Sequence, residues 1–112
     1  MADKSITKVS SACAPKGAAG QKYLAAGLHL SMRLWEKENP AEDKPETTRD
    51  YETIGFAIEG KAELYIEGQR VLLEPGDSWV VPRGAKHRYK LLDTFTAIEV
   101  TSPPAEVHAR DA

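Results

Sequence analysis

The chain has 112 residues, with 17 acidic against 15 basic side chains and a formal net charge of -2. One compact domain that buries about two thirds of its unfolded surface is expected, and there is no basic excess to serve a nucleic-acid backbone. Cys13 is the single cysteine, which excludes an internal disulfide and a thiolate metal cluster; no apolar run approaches the roughly 20 residues of a bilayer crossing and no basic-then-apolar leader opens the chain, so a soluble, cytoplasmic protein with no membrane partner is expected.

Residues 1–20 mix Ala, Ser, Lys, Gly and Pro15 without a stable period and read as an arm lying on the surface or on a neighbouring subunit. Over 23–35 the chain turns apolar. Leu28, Leu30, Met32 and Leu34 alternate with His29, Ser31, Arg33 and Trp35 at the period of a strand, which sets His29 away from the leucine face. Residues 36–48, with Asn39, Pro40, Pro45 and mixed charges, read as turns or a solvated loop. Short strands are then predicted over 50–58, 62–66, 70–73, 79–81, 87–92 and 94–101, punctuated at Gly60, Gly68, Pro75 and Gly76 and stopped by Pro103 and Pro104. Many short strands and no amphipathic helical period predict an all-β sandwich or barrel, with the jelly-roll form favoured. The domain reading is an arm at 1–20, a barrel at 21–104 and a polar tail at 105–112.

Phe56, Ile58, Leu64, Ile66, Trp79 and Val81 are read as packing residues of a pleated surface. His29 and His108 have no supporting spacing. Asp50 and Glu52 fall on the outward parity, there is no Ser-His-acid or Cys-His arrangement, and no glycine-rich loop opens a helix. No catalytic residue is assigned, and whether the chain is an enzyme is left open.

The stretch over 76–87 is the most constrained. Pro82 fixes one dihedral of a corner and Gly84 permits a positive one, so backbone chemistry sets the direction in which His87 leaves it. Gly76, Pro82, Gly84 and His87 also match the spacing of the second cupin motif, G(X)5PXG(X)2H. The Gly60 hairpin resembles the end of the first cupin motif, and residues 98–104 resemble the ending of small single-domain cupins. The resemblance covers about residues 45–104. It implies a double-stranded β-helix barrel, usually a homodimer, with the N-terminal arm or first strand packed across the interface.

The first cupin motif, HXH(X)3–4E(X)6G, is where the sequence departs. Counted back from Gly60, the glutamate position holds Thr53 and the histidine positions hold Arg49 and Thr47, or Thr48 and Glu46 at the longer spacing. Of the metal ligands the resemblance implies, His87 remains, and Glu46 joins it if a bulge shifts the register. A divalent transition metal wants several imidazole or carboxylate donors. No cofactor is therefore predicted, and a metal on His87 and Glu46 stands as the alternative.

By strand parity Thr47, Arg49, Tyr51 and Thr53 share one face, pointing with His87 and Tyr89 into the barrel. A buried guanidinium needs a counter-charge or an exit to solvent, so these six residues are the expected ligand-binding set, for a small carboxylate or other anion. Two plainer readings stand beside it: Arg49 turned outward into an ion pair, and His87 hydrogen-bonded among barrel side chains. For function, the alternatives are a metal-dependent cupin enzyme of dioxygenase or isomerase type using His87, and a non-catalytic dimeric scaffold or regulatory protein.

Overall fold

The computed structural model describes residues 6–40 and 45–105. The expectations for His108, for the rest of the tail and for the middle of the acid-lysine loop lie outside the described residues. A short 3₁₀ turn (Ser11–Cys13) is followed by eight strands: β1 (Lys22–Ala26), β2 (Ser31–Glu38), β3 (Glu52–Glu59), β4 (Ala62–Ile66), β5 (Gln69–Leu73), β6 (Ser78–Val81), β7 (His87–Leu91) and β8 (Phe95–Ser102). They form two antiparallel sheets, one ordered β1-β2-β8-β3-β6 and the other β5-β4-β7. This is the all-β jelly-roll arrangement expected from the spacing of turns. No helix among the described residues is long and apolar enough to cross a membrane.

The strand expected over 23–35 is in fact a hairpin. β1 and β2 pair through a turn closed by the Gly27 N–H donating to the Leu30 carbonyl at 2.7 Å. Leu28 and Leu30 stand at its tip, largely exposed. The polar members of the alternation Ser31 and Arg33 are buried on β2, together with Leu34. The expected loop also begins later than predicted, because residues 36–38 continue β2 and Lys37 donates its N–H to Thr96 Oγ1.

Between the sheets lies an apolar cluster that includes Ala57, Leu64, Leu73, Val81, Leu91 and Phe95. Each large aliphatic or aromatic member contributes about 1.5–3 kcal/mol by leaving water. Phe56 and Ile58, expected to pack, instead face outward from the five-stranded sheet and are about half exposed, as are Ile54 and Val80. The register explains it: Ala57 and Gly55 take the inward positions of β3, opposite Ala97 and Glu99 of β8.

Two glycine corners carry the chain from one sheet to the other. At the first, Gly60 (φ +82°) stands between β3 and β4 with the Thr94 carbonyl where a Cβ would be. At the second, Gly84 (φ +78°) follows Pro82 and precedes β7, and its N–H donates to the Arg49 carbonyl at 3.0 Å. That bond ties the 45–51 segment to the corner from which His87 emerges.

Candidate functional site

His87 opens β7, opposite Ile66 of β4 on one side and bridged to Thr47 on the other. Thr47 and His87 exchange both backbone hydrogen bonds, at 2.8 and 2.9 Å, so their side chains leave the same face of the sheet. The ring is buried, with Nδ1 2.9 Å from the Ala85 carbonyl. Two residues on, Tyr89 meets the His87 ring edge-on, with centroids 6.0 Å apart.

The floor is built by the inward residues of β2 and β8. Arg33, 8% exposed, donates from Nε to Glu99 Oε1 at 2.9 Å and from Nη1 to the Tyr51 hydroxyl at 3.0 Å. Its guanidinium also lies 5.4 Å from the ring centroids of both Trp35 and Tyr51. Glu99, 2% exposed, accepts two further bonds, from Trp35 Nε1 to Oε1 at 2.5 Å and from the Tyr89 hydroxyl to Oε2 at 3.0 Å. Trp79 Nε1 in turn donates to the Tyr89 oxygen at 3.1 Å. A buried carboxylate surrounded by a guanidinium, an indole and a phenol is a saturated anion.

Gly55 makes room for this network. It sits opposite both Trp79 and Glu99 in register, and a Cβ there would come within 2.2 Å of the Trp79 indole. The indole therefore lies over bare backbone, with Nε1 within reach of Tyr89.

Above this floor is a cavity of about 320 Å³. Its walls are rich in aromatic rings, Trp35, Tyr51, Trp79, Tyr89 and Phe95, and its lining includes Arg33, Arg49 and Arg88 together with Glu38, Glu46 and Glu99. Arg88 also stacks 4.0 Å over the Tyr65 ring. Of the residues singled out from sequence, His87, Arg49, Thr47, Tyr51, Tyr89 and Glu46 line this space. Thr53 does not. It is buried at a sheet position flanked by Thr101 and Val81. Asp50, beside Arg49 in sequence, pairs with Arg83 at 2.5 Å.

Sequence reasoning missed Arg33, Trp35 and Glu99. The usable signal was a lone charge of each sign inside two apolar strands, Arg33 between Met32 and Leu34 and Glu99 between Ile98 and Val100. Isolated opposite charges on inward parity positions must find each other.

The positions that would hold a metal do not fit one. Arg49 and Thr53 offer no suitable donor, and among the described residues no three His, Cys, Asp or Glu side chains come together. Glu99 is already engaged by Arg33, Trp35 and Tyr89.

Burial and the neighbouring Glu99 carboxylate push the Tyr89 hydroxyl well above its ordinary value near 10. A folded value raised above the unfolded one means that the stabilisation is complete below about pH 10 and is lost as pH rises toward the folded value. The protein is therefore expected to lose stability above about pH 10. Tyr89→Phe should flatten that alkaline limb while losing about 1–3 kcal/mol at neutral pH, because Glu99 and Trp79 each lose a partner. Urea midpoints measured from pH 7 to 11 check both effects.

A family profile described as the cupin domain matches residues 34–102. The chain belongs to the cupin family. Solved structures agree on the fold. An RmlC-like cupin from Shewanella frigidimarina is 19% identical at a TM-score of 0.77, covering 91% of this chain and 95% of that one. KdgF from a Halomonas species is 23% identical at a TM-score of 0.65, covering 75% and 77%. The Cnp3 cupin domain of Schizosaccharomyces pombe is 14% identical at a TM-score of 0.67, covering 82% and 69%. At these identities the likeness is one of fold alone. Among curated proteins, none matches the sequence significantly.

Proposed function

We propose that the barrel binds a small organic acid between its sheets. The observation that carries this reading is the presence of Arg33 and Arg49 in the lining of a ring-walled cavity of about 320 Å³. That volume suits a small ligand, the aromatic walls suit an apolar body, and guanidiniums recognise carboxylates through paired N–H bonds. Arg33 is anchored by Glu99 and Tyr51, and Arg49, on the segment tied to the Gly84 corner, is the guanidinium assigned to the ligand's carboxylate.

Thermal unfolding followed by circular dichroism, against a panel of aliphatic and aryl-substituted carboxylic acids, tests the reading. At a hundredfold excess over Kd an acid adds about 2.7 kcal/mol, which raises the midpoint by roughly 10 °C for a domain of this size. Arg49→Ala is expected to abolish the rise while leaving the unliganded midpoint within a few degrees. A panel in which no acid shifts the wild-type midpoint would count decisively against the proposal.

A further inference from the structure

The cavity holds one polar atom that a simple carboxylate would not satisfy. His87 is 8% exposed, and its Nδ1 faces the Ala85 carbonyl at 2.9 Å. A carbonyl oxygen only accepts, so Nδ1 carries a proton, and a ring with a single proton presents a lone pair at Nε2. Among the described residues Nε2 has no hydrogen-bond partner. The hydroxyl nearest in register, that of Thr47, is directed to the Thr48 carbonyl at 3.4 Å. A buried acceptor in a native protein ordinarily has a donor, and here the ring forms part of the cavity wall.

We infer that the ligand is a hydroxy acid, whose carboxylate is held at Arg49 and whose hydroxyl donates to His87 Nε2. The inference rests on the organic-acid reading above and adds to it one requirement, a neutral donor on the ligand. A carboxylate oxygen at Nε2 of the singly protonated ring would set lone pair against lone pair. An ammonium there would have to bury a full charge beside the ring. A hydroxyl supplies the proton without the charge. His87 thus acts as a specificity residue that reads the substituent, while Arg49 reads the acid.

Isothermal titration of the full chain, in buffer containing EDTA, with 3-phenyllactate, 3-phenylpropionate and phenylalanine makes the comparison on one carbon skeleton. Malate, succinate and aspartate repeat it on a smaller one. The hydroxy acid is expected to bind about tenfold or more tightly than its deoxy partner, since a site built to pair a hydroxyl discriminates against its absence. In His87→Phe, which keeps a ring but has no acceptor, the two should bind within about threefold of each other.

Equal binding of hydroxy and deoxy acids to the wild type overturns this inference and leaves the organic-acid reading standing. Failure of every acid to bind removes both. A preference that survives in His87→Phe shows that the hydroxyl is read elsewhere and overturns the assignment to His87. Tighter binding of the amino analogue overturns it as well, as does a preference that appears only when zinc or iron(II) replaces EDTA, because Nε2 would then be a metal ligand.

Discussion

Arg33→Ala is expected to lower folding stability by about 3–5 kcal/mol, the largest effect of any single side chain in the cavity floor. The variant leaves Glu99, 2% exposed, as a buried carboxylate without its counter-charge, and it strips Tyr51 and Trp35 of the guanidinium they flank. Set against a total of about 5–15 kcal/mol for an ordinary domain, that loss brings the chain close to unfolding at body temperature. Urea unfolding of the variant measures it. The double variant Arg33→Met with Glu99→Leu should recover much of the loss, because removing both charges removes the desolvation that the pair has to offset. A single variant that loses less than about 1 kcal/mol would falsify the view of this pair as a buried, mutually dependent unit.

The second large effect is expected at Gly60, and Gly68 is its built-in control. Both glycines have φ +82°, so an alanine at either meets the same left-handed backbone penalty, roughly 1–2 kcal/mol. Their surroundings differ. A Cβ at Gly68 meets nothing within 4 Å, whereas at Gly60 it would lie 2.1 Å from the Thr94 carbonyl oxygen. That oxygen belongs to backbone at the entry to β8, next to the buried Phe95, and cannot turn aside like a side chain. Gly68→Ala is therefore expected to lose about 1 kcal/mol and Gly60→Ala some 2–4 kcal/mol, the difference being the steric part alone. Parallel thermal melts of the two variants report that difference, and equal losses would mean that the corner is not held against β8.

The architecture was legible because the turns of this chain are chemically explicit. Glycine and proline at 60, 68, 75, 76, 82 and 84 mark the strand ends, and β4 was read with the bounds the structure gives it. The N-terminal hairpin was not legible, since Leu28 and Leu30 continue the alternation of β2 through a turn closed by one Gly27 bond. Periodicity cannot tell a hairpin tip from a strand when apolar residues occupy both.

The site divided along the same line. His87, Arg49, Thr47, Tyr51 and Tyr89 could be placed near one another by parity and motif spacing, and they line one cavity. Arg33 and Glu99 could not, because neither strand taken alone shows the counter-charge that makes burial of its own charge tolerable. Their burial makes sense only when two strands 66 residues apart are brought side by side. Thr53 shows the opposite limit: its parity is inward, but inward at that level of β3 means Thr101 and Val81, not the cavity.

The chain has two tryptophans, and both stand in the cavity wall, each donating its indole N–H into the network around Glu99 and Tyr89. No indole elsewhere contributes background, so the ultraviolet emission of the intact protein, excited at the red edge of its absorption, is in effect the spectrum of this single place. The unlabelled molecule carries its own optical probe of whatever enters the barrel.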